Sequence, residues 1–217
     1  CLLLQYGAEG SAKYILIDGG PDGVYASYLK GKLEEIAAQK GRLDLVVLTH
    51  VDEDHVVGLV DMLSEIAQAR NRGEAPLIEV EALWYNTFRP IESGAYGTTG
   101  LVETFGAYLG SAFAGGDMQS AAYSITQGED LWKAAHILDI PLNPDFTDRL
   151  VASENAPQPV DFHGLKLWVI GPPQANLKRY KRDWDKWYDK HKNDPFSPKA
   201  AKEAEAVDDS VQNLSSI

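Results

Sequence analysis

The order of apolar and polar positions along the chain predicts strands and helices in alternation. Four short apolar runs are typical of buried strands: 1–6, 13–17, 43–48 and 77–85. Apolar residues recur every three or four positions across 24–39 and 56–72, and this spacing indicates two amphipathic helices. The first 85 residues are therefore expected to run strand, strand, helix, strand, helix, strand, the alternation of an α/β layered domain.

The rest of the chain is less regular. Residues 93–117 are rich in glycine and small side chains, and the wider stretch 88–160 is interpreted as an insertion. It is either a lid over the active site or an ordinary surface insertion. Two strands flanking Gly164 are predicted within 160–170. We assign residues 1–217 to a single domain and expect it to be truncated at both ends, because each end has the pattern of a strand.

Composition narrows the possible functions. The net charge of −12 argues against a protein that holds nucleic acid by its overall charge, although a local basic groove remains open. The single cysteine, Cys1, excludes an internal disulfide and favours a reducing compartment such as the cytoplasm. No apolar run approaches the roughly 18 residues needed to span a bilayer, so no membrane partner is predicted.

One basic and aromatic segment stands out in this acidic chain. Residues 174–192 carry seven lysines or arginines against three aspartates, with four aromatic residues between them. They could stack on single-stranded nucleic acid and neutralise its phosphates. The apolar residues also recur at helical spacing, which favours a helix that packs on the domain with its charges in water.

The densest group of chemically active residues follows the apolar run 43–48. Within six residues, from His50 to His55, the chain has two histidines and three acids. Imidazole nitrogens and carboxylate oxygens suit a divalent ion of the zinc or manganese type. In an extended segment His50 and Asp52 point the same way, and Asp54 and His55 lie where the loop turns into a helix. The loop could therefore form one side of a two-metal site.

The pattern His50-x-Asp52-x-Asp54-His55 after a hydrophobic strand resembles the signature loop of the metallo-β-lactamase-fold hydrolases. The commonest form of that signature has histidine where this chain has Asp52. The variant resembles the branch typified by the hydrolase domain of bacterial DNA-uptake competence proteins, and so favours a bacterial, cytoplasmic protein. An oxygen ligand in place of a nitrogen ligand moves the metal preference from zinc towards harder ions such as manganese.

The resemblance implies a fold, a metal site and a set of residue roles. The fold would be a four-layer αββα sandwich, here an incomplete N-terminal portion with the glycine-rich insertion. His50 and Asp52 would bind one metal, and Asp54 and His55 a second. The family's bridging aspartate and further histidine have no match after residue 170. Either they follow residue 217, or a complete binuclear site is not formed.

A similar family position also draws attention to Asp18, which ends the strand 13–17 in an Asp-Gly-Gly step. It either orients the metal loop or one of its histidines from behind, or simply helps to form a tight turn. Asn86 is expected to cap a helix or contact substrate. His136 is expected to be a packing residue on the apolar side of its helix, and His163 is expected to be exposed.

The function implied by the resemblance is metal-dependent hydrolysis with two zinc or manganese ions. A metal-bound hydroxide would attack the substrate, and Asp54 would be catalytic by orienting it. A phosphodiesterase or nuclease-type activity is favoured because of the Asp52 variant. Hydrolysis of a lactone, thioester or amide remains open, and so does an inactive binding or regulatory module. The oligomeric state is not determined by the sequence.

Overall fold

The computed structural model describes residues 1–8, 10–86, 127–128, 130–132, 134–179 and 182. The glycine-rich stretch 93–117, most of the predicted basic helix and the C-terminal residues lie outside these ranges. Helical residues at 174–179 agree with the predicted start of the basic helix. Helical residues between 127 and 137 agree with the amphipathic pattern of that stretch.

The central element is a four-stranded sheet in the order β1-β2-β3-β4. The strands are β1 (Leu2–Tyr6), β2 (Lys13–Ile17), β3 (Leu45–Val47) and β4 (Leu83–Trp84). β1 pairs antiparallel with β2, whereas β2, β3 and β4 run parallel. This confirms the predicted hairpin and the α/β alternation. The prediction that the run 1–6 is a buried strand is wrong: β1 lies at the edge of the described sheet, and Leu2 is 53% exposed.

Helical segments connect β2 to β3 and β3 to β4. A π-helical turn, Tyr25–Leu29, leads into α1 (Lys30–Ala38), and α2 runs from Glu53 to Asn71. The helical pattern predicted across 24–39 includes Tyr28 among its apolar positions, but Tyr28 is 78% exposed, because a π turn has a wider period than the 3.6 residues of an α-helix. α2 begins three residues earlier than predicted, so Asp54 and His55 lie in its first turn. No helix in the described ranges is long and apolar enough to cross a bilayer.

The two faces of the sheet pack against different layers. On one face Leu16, Val46 and Leu83 join the helices in a buried cluster. On the other face Ile15, Leu45 and Trp84 pack with Phe146 and Phe162, which brings in the antiparallel hairpin of β5 (Val160–Phe162) and β6 (Leu165–Leu167). The hairpin turns at His163 and Gly164, whose φ angles of +52° and +91° suit a type I′ turn. The described residues thus form a helix layer, a sheet and a hairpin layer.

Asp44 is the most buried charged side chain in the described part and joins β3 to β2. Its carboxylate accepts hydrogen bonds from the Tyr14 backbone N–H at 2.9 Å and from Lys13 Nζ at 2.9 Å. Burial alone would raise the pKa of Asp44, but these hydrogen bonds and the charge of Lys13, with Arg42 beside it, lower it below its usual value. The ionised carboxylate therefore stabilises the fold.

We expect Asp44→Asn to lower the free energy of unfolding at neutral pH by about 1–3 kcal/mol, because an amide faces Lys13 with a donor instead of an acceptor. The folded-state pKa is depressed, so this stabilisation is present above the ordinary aspartate pKa near 4 and is lost as the pH falls through the folded value. Urea unfolding at several pH values measures both effects. Glu35→Gln, at an exposed pair with Lys32, is the control and should change little. If Asp44→Asn and Glu35→Gln changed the stability equally, the proposed stabilising role of the Asp44 carboxylate would be contradicted.

Candidate metal centre

The carboxyl ends of the three parallel strands meet at one edge of the sheet. Asp18 follows β2, Thr49 and His50 follow β3, and Asn86 follows β4. Ligands of open α/β sheets bind at this edge, since the loops that leave the strands converge there. The predicted loop therefore lies where a site is expected.

Two glycines join the end of β2 to the start of α2. Gly19 N–H donates to His55 O at 2.7 Å, and Gly58 N–H donates to Gly20 O at 3.0 Å. A Cβ on Gly19 would lie 2.2 Å from Leu59 N, and one on Gly58 would lie 2.2 Å from Gly19 O. Because backbone touches backbone here, the position of Asp18 relative to the first turn of α2 depends on both residues being glycine.

Asp18 lies directly behind the loop from His50 to His55. Its side chain is buried, and its backbone has φ of +56°, a conformation that aspartate tolerates better than most residues. Its carboxylate accepts from the Thr49 backbone N–H at 2.8 Å and contacts His55 Nδ1 at 2.8 Å. Asp18 therefore lies in the turn, and its side chain also contacts the loop and one histidine. A role in orienting a metal ligand stays a prediction.

The two histidines of the loop stand side by side. The ring centroids of His50 and His55 are 3.8 Å apart. His50 Nε2 lies 3.4 Å from Asp52 Oδ2, and His55 Nε2 lies 3.4 Å from Asp54 Oδ2. The pairs that the resemblance assigns to each metal are thus neighbours in space.

These separations fit a metal better than they fit hydrogen bonds. A good N–H···O bond spans about 2.7–3.2 Å, shorter than either contact. Two ligand atoms held about 2.1 Å from one ion at a tetrahedral angle lie about 3.4 Å apart. The donor set of imidazoles and carboxylates also suits zinc or manganese. The residues present therefore fit a divalent ion.

The geometry also allows one ion to be bound by three residues, whereas the sequence predicted two residues for each ion. Ligand atoms from His50, Asp54 and His55 all lie within 4.8 Å of one another. Three protein ligands with one open position are typical of catalytic zinc sites. Asp52 is outside this group and contacts His50 from the side. Ligation by any of the four residues stays a prediction, as does the number of ions.

Asp52 caps α2 through its backbone and not through its side chain. It occupies the N-cap position of α2, where an aspartate commonly accepts a hydrogen bond from the helix through its side chain. Here its backbone carbonyl accepts from His55 N–H at 2.9 Å and Val56 N–H at 3.0 Å, but its carboxylate makes no capping bond. The carboxylate instead extends towards His50, and so remains available to a ligand.

Asparagines near the same edge have structural roles. Asn143 pairs through its amide with the backbone N–H and C=O of Tyr85, at 2.9 and 2.7 Å. Asn86 pairs in the same way with the backbone N–H and C=O of Val151, at 3.0 and 2.8 Å. Leu142, between Pro141 and Pro144, forms a parallel bridge with Leu83 of β4. These contacts hold the segment after 140 beside the sheet.

The other histidines of the described residues lie elsewhere. His163 is exposed at the hairpin turn, as expected. His136 was expected to be a packing residue on the apolar side of its helix, but it is exposed, with its ring stacked on Trp132. His163 approaches Asp44 and Glu81, which form a second group with metal-ligating atoms. In that group Arg42 bridges the two carboxylates and Lys13 also pairs with Asp44, so the two negative charges are balanced without an ion.

A family model for the metallo-beta-lactamase superfamily matches residues 1–138. The match spans more than half of the chain and includes the whole central sheet and the metal loop, and the chain therefore belongs to the metallo-beta-lactamase superfamily. No curated protein and no solved structure matches the chain significantly. This match confirms the family part of the resemblance, and the superfamily consists mostly of hydrolases. The narrower resemblance to the competence-protein branch stays a prediction.

Proposed function

We propose that the protein is a metal-dependent hydrolase whose centre is built on the loop from His50 to His55. The observation that carries this proposal is the convergence of His50, Asp54 and His55, whose ligand atoms lie within 4.8 Å of one another at the carboxyl edge of the sheet. The fixed contact between His55 and Asp18 adds to it, because histidine ligands are commonly oriented by a carboxylate on the other ring nitrogen.

Each residue of the loop has a role in this proposal. His50 and Asp52 would hold one divalent ion, and Asp54 and His55 a second. A bound ion supplies an activated water near neutral pH and polarises the group under attack. Asp54, which is exposed on the first turn of α2, orients the attacking water through its carboxylate. Asp18 keeps His55 in place from the protein side.

The proposed substrate is a phosphodiester. Its support is the aspartate at position 52, the feature that resembles the branch linked to nucleic acids. We also propose that the β5–β6 hairpin belongs to the second sheet of a four-layer sandwich, since it covers the face of the central sheet opposite the helices. We also propose that the stretch 88–160 is an insertion, of which the segment after 140 packs beside the sheet.

Elemental analysis of the longest natural form of the protein tests the metal centre. We expect about two zinc or manganese ions per chain in the wild type and none in His50→Ala/Asp54→Ala, because the double variant removes a ligand from each proposed pair. Glu53→Gln is the matched control, since Glu53 is an exposed acid in the same helical turn and lies outside the ligand group. It should retain the metal.

Each outcome has a definite meaning when circular dichroism shows all three proteins folded. No stoichiometric metal in the wild type, even after reconstitution, would overturn the proposal. A single ion lost in the double variant would support a hydrolase centre with three ligands and contradict the count of two. Loss of metal from Glu53→Gln as well would show general acidic binding rather than a site.

A further inference from the structure

We infer that the Thr49 hydroxyl is a positioning group that presents His50 to the metal through Nε2, and that it links this histidine to Asp18. The inference deepens the proposed function and rests on it. It concerns a residue to which the sequence pattern assigned no role, and it follows from the hydrogen bonds around one oxygen atom.

Thr49 Oγ1 lies at the centre of a small polar network. It is 3.0 and 2.9 Å from the two carboxylate oxygens of Asp18, 3.0 Å from His50 Nδ1 and 3.3 Å from His55 Nδ1. His55 Nδ1 has a closer partner in Asp18 Oδ2, at 2.8 Å. The short contact to His50 is therefore the one that depends on the hydroxyl.

The direction of each hydrogen bond follows from which atoms can donate and which can only accept. A carboxylate can only accept, so the single hydroxyl proton of Thr49 points to Asp18. The oxygen then has only lone pairs left for His50, and Nδ1 of His50 must carry the proton that it donates. His55 must donate from Nδ1 for the same reason, because its partner is the carboxylate itself. In both neutral rings the lone pair is left on Nε2.

The two Nε2 atoms face the proposed metal positions. Each of them lies 3.4 Å from the carboxylate of its neighbouring aspartate, Asp52 or Asp54. Asp18 thus sets the tautomer and ring orientation of both histidines, directly for His55 and through Thr49 for His50. Serine could replace threonine in this role, whereas valine has the shape but lacks the hydroxyl.

The substitution Thr49→Val tests the hydroxyl alone, because the backbone of residue 49 still binds Asp18. The Thr49 backbone N–H still donates to Asp18 Oδ1, at 2.8 Å in the wild type. The Thr49 side chain is exposed, so the substitution leaves no cavity and should change the unfolding midpoint little. Thr49→Ser is the conservative control.

Nitrogen NMR of the histidine side chains in the metal-free protein, at alkaline pH where imidazoles are neutral, reads each tautomer directly. We expect His50 and His55 to be protonated at Nδ1 in the wild type and in Thr49→Ser. In Thr49→Val, His50 should become a mixture of tautomers while His55 is unchanged. Zinc and manganese affinity should fall about 10- to 100-fold in the valine variant, the usual cost of losing an outer hydrogen-bond partner, and recover in the serine variant.

The two readouts separate this inference from the proposed function. Nδ1-protonated rings without any metal binding would sink the hydrolase proposal and leave the role of Thr49 in the network intact. Metal binding with His50 protonated at Nε2 in the wild type, or with His50 unaffected by Thr49→Val, would overturn the inference. A Thr49→Val protein that lost its wild-type chemical shifts throughout would also overturn it, because the effect would then be structural.

Discussion

Asp54→Asn should reduce the rate of phosphodiester hydrolysis by roughly 10²–10⁴-fold, the range expected when a carboxylate that handles the attacking water is lost. The amide keeps the size of the side chain but replaces one acceptor by a donor and removes the negative charge. Asp54 is exposed in the first turn of α2, where a negative charge is favoured but contributes modestly to stability. The loss should therefore fall on activity and not on folding.

The assay compares wild type, Asp54→Asn and Glu53→Gln on a generic phosphodiester, such as bis-p-nitrophenyl phosphate, and on a panel of lactones. Glu53→Gln changes the same charge one residue away and should keep nearly full activity. Hydrolysis of lactones alone would replace the proposed substrate class. Activity that survived Asp54→Asn at the wild-type level would show that the residue has no part in the chemistry.

A second large effect is expected on stability. Gly58→Ala should destabilise the fold by about 3 kcal/mol or more, at the upper end of the usual cost of overpacking. Its Cβ would lie 2.2 Å from Gly19 O, and backbone atoms on both sides cannot move aside as a flexible side chain can. Any relief must move Asp18 away from His55, so the affinity for metal should fall together with the stability.

Gly31→Ala provides the matched control for thermal or urea unfolding. Gly31 lies within α1, and a Cβ there meets nothing within 4 Å. Alanine should therefore stabilise the protein by about 0.5–1 kcal/mol through its better helix propensity. A Gly58→Ala protein as stable as the wild type would show that the strand end and α2 can separate at little cost.

Local pattern was sufficient to predict much of the central sheet. The apolar run before His50 and the helical spacing after His55 place the ligand-rich loop between a strand and a helix, because burial of one face requires the corresponding period. The start of α2 was predicted three residues too late. Glu53, Asp54 and His55 are polar and carry no hydrophobic signal, although acids in a first turn are typical of a helix start. The π turn and the exposure of Tyr28 were missed because a periodic pattern assumes one helix type throughout.

Residue type and spacing within one short segment were sufficient to identify the superfamily-type loop, the strands beside it and the candidate ligands His50, Asp52, Asp54 and His55. The way in which distant segments meet at this loop is visible in the three-dimensional structure and not in the sequence pattern. The contact of Asp18 with His55, the glycine pair 19 and 58, and the central place of the Thr49 hydroxyl join residues from different elements. The hydrophobic periodicity of a single segment cannot indicate such contacts, because parallel strands bring together residues that are far apart in the chain.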